Sequence, residues 1–340
     1  MVRSETRTVR DVVKRIEGNR YLMAPEFQRD FVWEPVRQSK LIESCIMRIP
    51  LPVIYVAEGI DGRITVVDGL QRLTTFVRFI QDKLKLTGLG NGHPLDGKRY
   101  SDLPINLQER VEDTQLTLYI LDKDAPPRAK LDIFERVNSG SILTRQQMRN
   151  ALYNGAGTQW LSRMVKCDEF LEATGRSLNS KTMRDREAAN RFAAFHILGA
   201  DAYHNGDMDD FLTHAIVSLN KKDKAWLDRL EKRFCLSMRN NHVLFGKHAF
   251  RRSMALGQEN RKSVINISLF DVFSTLLSVM RKKTIDSNAK EIIDRVVELL
   301  NDEDYVYTTT YSTNSTIQVK SRFNLTMEAL GEFQELEFIE

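Results

Sequence analysis

The fold turns on Pro52-Val53-Ile54-Tyr55-Val56-Ala57 and, after the loop Ile60-Asp61-Gly62-Arg63, on Ile64-Thr65-Val66-Val67-Asp68-Gly69-Leu70-Gln71-Arg72. Two β-branched runs joined by a short Asp-Gly loop predict a hairpin. Asp68-Gly69 closes the second strand, and Leu73, Phe76, Val77 and Ile80 then recur at helical spacing. Asp68 to Arg72 therefore sits at a strand-to-helix junction. Such a junction can hold an anion, because the first N–H groups of a helix lack internal partners and lie at the positive end of its dipole. Gly69 permits close backbone approach. Arg72, in the first helical turn, can fork onto phosphate oxygens. Asp68 can hold Mg²⁺ directly or through water, and Gln71 can orient a water or a substrate hydroxyl. Taken alone, the stretch also reads as a common Asp-Gly turn with Arg72 on a solvated face.

On the N-terminal side of this hairpin, Val9, Val12, Val13 and Ile16 mark a helix capped by Thr8 and ended by Gly18-Asn19. Arg20 to Met23 is a short apolar run. Ile42, Cys45, Ile46 and Ile49 predict a second helix after Trp33-Glu34-Pro35, with Pro at its first position. On the C-terminal side, residues 88–104 are rich in Gly, Pro, Asn and Asp and predict a loop. Leu116 to Leu121 predicts a strand, and Pro126-Pro127 opens a helix containing Leu131, Phe134 and Val137. Thr144 and Gln147 have the spacing of a capping box for a helix through Tyr153. From about residue 155 onward the periodicity is helical, broken by the Thr/Ser-rich stretch Thr308 to Ser315 before a last helix. The expected architecture is α+β, with an N-terminal domain over 1–155 and a helical domain over 156–340.

The bulk properties narrow the class of protein. The chain has 340 residues, a formal net charge of +4 and a charged fraction of 28% with the two signs interspersed, which permits contact with nucleic acid without arguing for it. The start Met1-Val2-Arg3-Ser4-Glu5 lacks the apolar stretch of a signal peptide, and no apolar run is long enough to cross a bilayer. Cys45, Cys167 and Cys235 are far apart in sequence and form no Cys-x-x-Cys pair, so the expectation is reduced thiols in a cytoplasmic protein, with neither a zinc ribbon nor a thioredoxin-like motif.

Two further groups change the weight of the Asp68–Arg72 turn. Pro25-Glu26-Phe27-Gln28-Arg29-Asp30-Phe31-Val32-Trp33 holds another Gln-Arg pair among aromatics, and Phe134-Glu135-Arg136-Val137-Asn138-Ser139-Gly140 ends a helix with Asn, Ser and Gly. Each has a plain reading as core and cap. In order, the three groups resemble the DUF262 family, which includes the S half of GmrSD-type modification-dependent restriction enzymes. That family reads Pro-x-[Tyr/Phe]-Gln-Arg…Trp, then Asp-Gly-Gln-Gln-Arg, then Phe-x-Arg-x-Asn. The similarity continues through Leu143, Arg149-Asn150, Met183, Asp185, Glu187 and Arg191-Phe192. It goes on more weakly through Phe211-Leu212, Phe250-Arg251, Asn266 and Phe270-Asp271.

The resemblance implies a ParB-like nucleotide-binding N-terminal lobe with NTPase activity, often on GTP, coupled to DNA restriction. Carried over residue by residue, Asp68, Gln71 and Arg72 would be catalytic. Gln28, Arg29, Gly69, Arg72, Arg136 and Asn138 would bind nucleotide, and Asp68 would hold Mg²⁺. The sequence departs from the motif at Leu70, where the family has its first Gln. If that Gln positions the attacking water, this chain binds nucleotide better than it hydrolyses it.

Three stretches mimic other sites. Gly92-His93-Pro94-Leu95-Asp96-Gly97-Lys98-Arg99 approaches a P-loop, but Arg99 replaces the Mg²⁺-binding Ser or Thr, and the flanks predict a loop. His204-Asn205 and Asn240-Asn241-His242 lack the ββα context of His-Asn-His nucleases, and His196 reads as a core histidine. With no nuclease motif found, the expectation is a regulatory NTPase working with DNA and a separate nuclease or other defence subunit, with self-association left open and no membrane partner. The alternatives are a non-hydrolysing DNA-binding or scaffold module switched by nucleotide, and a stand-alone DNA nickase.

Overall fold

The computed structural model describes residues 2–23, 33–59, 61–90, 92–137, 143–256 and 261–334. The chain divides into two compact units, one formed by residues 1–143 with 150–152, the other by 144–149 with 153–340.

The first unit is built on a mixed five-stranded sheet. Its strands are β1 (Val2–Thr8), β2 (Tyr21–Leu22), β3 (Ile54–Glu58), β4 (Ile64–Asp68) and β5 (Gln115–Leu121), in the order β1-β5-β3-β4-β2. The hairpin β3–β4 is antiparallel, with its register shifting between Tyr55 and Val56, while β3 pairs parallel with β5 and β2 pairs parallel with β4. The helices are α1 (Val9–Glu17), α2 (Pro35–Ile46), α3 (Leu70–Ile80), α4 (Ile105–Glu112) and α5 (Pro127–Val137). Thr8 caps α1 through a bond from the Asp11 N–H, as its position implies. One core joins α1 (Val9, Val12), α2 (Ile42), β3 (Ile54, Val56), α3 (Leu73, Phe76, Phe79) and β5 (Leu118, Ile120), all essentially inaccessible to water.

Strand β1 was not foreseen. Its sequence Val-Arg-Ser-Glu-Thr-Arg-Thr has no apolar alternation, and it forms by pairing antiparallel with β5 along its whole length. The helix containing Ile42 stops at Ile46, short of the expected Ile49. Arg48 has φ +59°, and Ile49 precedes Pro50, a position that disfavours helical backbone. Between α3 and α4 the near-P-loop segment is a turn-rich loop pinned by the Leu86 N–H to Lys98 O and the Gly97 N–H to Leu86 O.

Thr144 and Gln147 form the expected capping box at the start of α6 (Arg145–Leu152). The second unit is helical. It comprises α7 (Ala156–Met164), α8 (Asp168–Thr174), α9 (Arg184–Leu198), α10 (Met208–Leu219), α11 (Lys224–Phe245), α12 (Ile267–Leu276), α13 (Lys282–Asn301), α14 (Glu303–Thr308) and α15 (Thr316–Leu330). Trp160, Phe170, Phe192 and Phe234 form its aromatic centre, with Phe234 in ring contact with each of the other three. The α+β organisation with a helical C-terminal region thus follows the sequence reading. No helix among the described residues is long and apolar enough to cross a membrane.

Candidate functional site

Strand β4 ends at Asp68 and α3 begins at Leu70, so Gly69 alone makes the turn. Its backbone lies at φ +94°, ψ +8°, in the left-handed region where a side chain is strained. Space is tight as well: a Cβ there would stand 3.0 Å from Ile54 Cγ1 and 3.2 Å from Arg72 Nη2, and those side chains would have to give by a few tenths of an ångström. The first intrahelical bond runs from the Leu73 N–H to the Gly69 carbonyl. The N–H groups of Leu70, Gln71 and Arg72 precede it, and no side chain caps them. This differs from α1, α10, α11, α12 and α15, whose N-cap side chains accept from their first turns. Residues Asp68 to Arg72 are partly accessible to solvent.

The side chains of the turn are engaged with the protein itself. Arg72 donates through Nη1 to the Pro52 carbonyl, and through Nη2 to the Val53 carbonyl and to Asp68 Oδ2, the latter two at 2.9 Å. Its guanidinium thereby ties the approach to β3 to the end of β4. Burial lowers its pKa and the charge of Asp68 opposes that shift, while the group stays protonated. Gln71 Oε1 accepts from the Trp33 N–H at 3.2 Å, and Gln38 Nε2 donates to the Trp33 carbonyl at 2.7 Å. Arg78 holds Gln38 in turn, and the guanidinium of Arg37 lies 4.5 Å above the Trp33 ring. Leu70 packs against the core of the unit.

The structure therefore brings Asp68, Gly69, Gln71 and Arg72 together. Arg136 is exposed at the end of α5, with no hydrogen bond to the turn among the described residues. Gln28, Arg29 and Asn138 lie outside the described residues. The contact from Gln71 to Trp33, 38 residues away, has no local signal in the sequence. A separate open cavity of 510 Å³ is lined by residues including Cys45, Arg48, Arg110 and Asp113, and shares no residue with the turn.

Several motif residues of the second unit turn out to organise its interior. Arg191 forks onto Asp271 with bonds of 2.7 and 2.8 Å, and Arg322 donates to the same carboxylate at 3.0 Å. This joins α9, α12 and α15 through a fully buried charge cluster. Asn266 caps α12 by accepting from the Ser268 and Leu269 N–H groups, and Arg251 donates to the Ala249 and Thr174 carbonyls. The nuclease mimic dissolves in the same way: Asn240 donates to the Leu277 and Met280 carbonyls, and Asn241 to those of Ser237 and Phe273. His196 is partly buried and stacked on Phe192, its pKa pushed down to about 4 by burial and secondarily by Arg233.

A mixed α+β unit bearing an uncapped strand-to-helix turn defines a class of fold. The comparison of sequences gives a likeness: residues 9–154 match the model of the GmrSD restriction endonuclease, N-terminal domain. The matched domain is, by its description, that of a restriction endonuclease. No curated protein and no solved structure matches the chain.

Proposed function

We propose that the first unit binds a nucleoside triphosphate with Mg²⁺, GTP being the favoured nucleotide, and that the chain is the regulatory, NTP-hydrolysing subunit of a bacterial anti-phage restriction system acting on DNA with a separate nuclease or other defence subunit. The observation that supports this most is the uncapped start of α3 behind Gly69, in a stretch that matches the restriction endonuclease domain. Three N–H groups and the dipole of an 11-residue helix meet an anion there. Asp68 offers a carboxylate for the metal at the edge of the same turn. The resemblance assigns Gln28, Arg29, Arg136 and Asn138 to the same nucleotide. Arg72 either moves onto the phosphates or keeps the turn in shape while the backbone binds them. Phosphoryl transfer needs mainly positioning and charge stabilisation, which these groups supply.

Leu70 supports a second reading, a module that binds nucleotide and DNA without turnover. Its side chain packs against the core, so the position offers no polar group to a water. The experiment is the full chain with GTP, CTP or ATP and Mg²⁺, read by calorimetry and by phosphate release. Binding with release is expected. Binding without release selects the second reading, and no binding to any of the three refutes both.

A further inference from the structure

We propose that Cys167, Cys235 and Glu169 form a binding site for a thiophilic divalent metal ion of the zinc class, with a fourth position open to water. The sequence conceals this site, because its two cysteines are 68 residues apart. Cys167 immediately precedes α8, and Cys235 lies within α11. Ring stacking between Phe170 and Phe234, with centroids 5.7 Å apart, holds the two segments together beside the thiols. Ligands on packed helical elements keep their geometry better than ligands on loops.

The distances distinguish a metal pair from a cross-link. The two Sγ atoms are 4.0 Å apart. Two thiolates at ~2.3 Å from a tetrahedral zinc stand about 3.8 Å apart, so the thiols fit an ion nearly as they are. A disulfide would require them to close to about 2.05 Å. One oxygen of Glu169 completes the group, the three ligand atoms lying within 4.8 Å of one another. All three residues are partly accessible, which leaves a path for the ion and room for a water.

The charge balance is favourable as well. Two thiolates and a carboxylate around a divalent ion leave one net negative charge. Arg239, 3.0 Å from Glu169 Oε1, is placed to offset it. Binding converts two thiols to thiolates and releases two protons to solvent. Cys45 is buried in the first unit and takes no part.

The test uses the full chain, reduced and freed of metal, titrated with Co²⁺ and then Zn²⁺. We expect a single Co²⁺ per chain, with thiolate-to-cobalt charge-transfer absorption and tetrahedral d–d bands that Zn²⁺ bleaches. Outer-shell partners alone contribute about 10- to 100-fold to metal affinity, so Cys235→Ser and Glu169→Gln should each weaken binding at least that much, with circular dichroism confirming the fold. A readout on the unmodified chain keeps the proposal open to refutation if the variants misfold: Zn²⁺ should protect Cys167 and Cys235 together from alkylation. Equal alkylation with and without Zn²⁺, absence of the charge-transfer band, or conversion of the pair to a disulfide without metal uptake would each overturn it. None of these outcomes depends on nucleotide binding by the first unit.

Discussion

Replacing Arg72 by Ala should loosen the unliganded first unit, whatever it does to a ligand. The guanidinium is largely buried, with its side chain 11% exposed, and makes three bonds that knit the β3–β4 hairpin to α3. Hydrogen bonds to a charged group contribute roughly 1.5–3 kcal/mol each. The three share one side chain, Asp68 is 35% exposed, and water can replace part of what is lost. A net cost of about 3 kcal/mol follows, or on the order of 100-fold in a local opening equilibrium. Amide hydrogen exchange read on peptides spanning residues 52–72 measures this without assuming that the two units unfold together. Those amides should exchange on the order of 100-fold faster in Arg72→Ala, and Arg72→Lys should recover only a minor part, since one ammonium cannot span three acceptors. If exchange were unchanged while nucleotide affinity fell, Arg72 would be a ligand contact alone and the positioning role drawn from its bonds would be wrong.

Three other outcomes can be checked. Leu70→Gln should raise phosphate release while changing nucleotide affinity by less than about tenfold, or 1.4 kcal/mol; unchanged turnover in a folded variant would remove Leu70 as the brake. Asp271→Ala leaves Arg191 and Arg322 buried without their carboxylate and should destabilise the second unit by about 3–5 kcal/mol, which denaturant unfolding followed on peptides of that unit would register as a fall in its midpoint. The unfolded chain binds a proton at His196 near pH 6.5, whereas the folded chain resists until about 4. Stability from this residue is therefore complete above 6.5 and lost as pH falls toward 4, by about 3 kcal/mol. The gap between wild type and His196→Gln in thermal midpoint should vary with pH inside that window and flatten outside it.

The parts of the fold legible in the sequence are those fixed by local chemistry. Thr8 and Thr144 announce their helices because capping acts over three residues, and the hairpin announces itself through β-branched runs on either side of an Asp-Gly loop. Strand β1 was illegible because its residues are polar and its conformation comes from pairing with β5, more than a hundred residues away. The turn at Asp68 to Arg72 was placed correctly, but the partners of its side chains were not, since Pro52, Val53 and Trp33 reach it only through the folded sheet and helices. Residues such as Asn240, Asn241 and Asp271 show the converse. Their types suggest chemistry, yet burial commits them to carbonyls and guanidinium groups.

The grip of Gln71 and Gln38 on the main chain of Trp33 acts as a tether. Gln71 lies in the first turn of α3 and Gln38 in α2, so the two amides fix the main chain of Trp33 to both helices at once. A Gln71 variant would release Trp33 from α3 as well as remove an amide from the turn, so a loss of activity there would measure a freed anchor as much as missing chemistry.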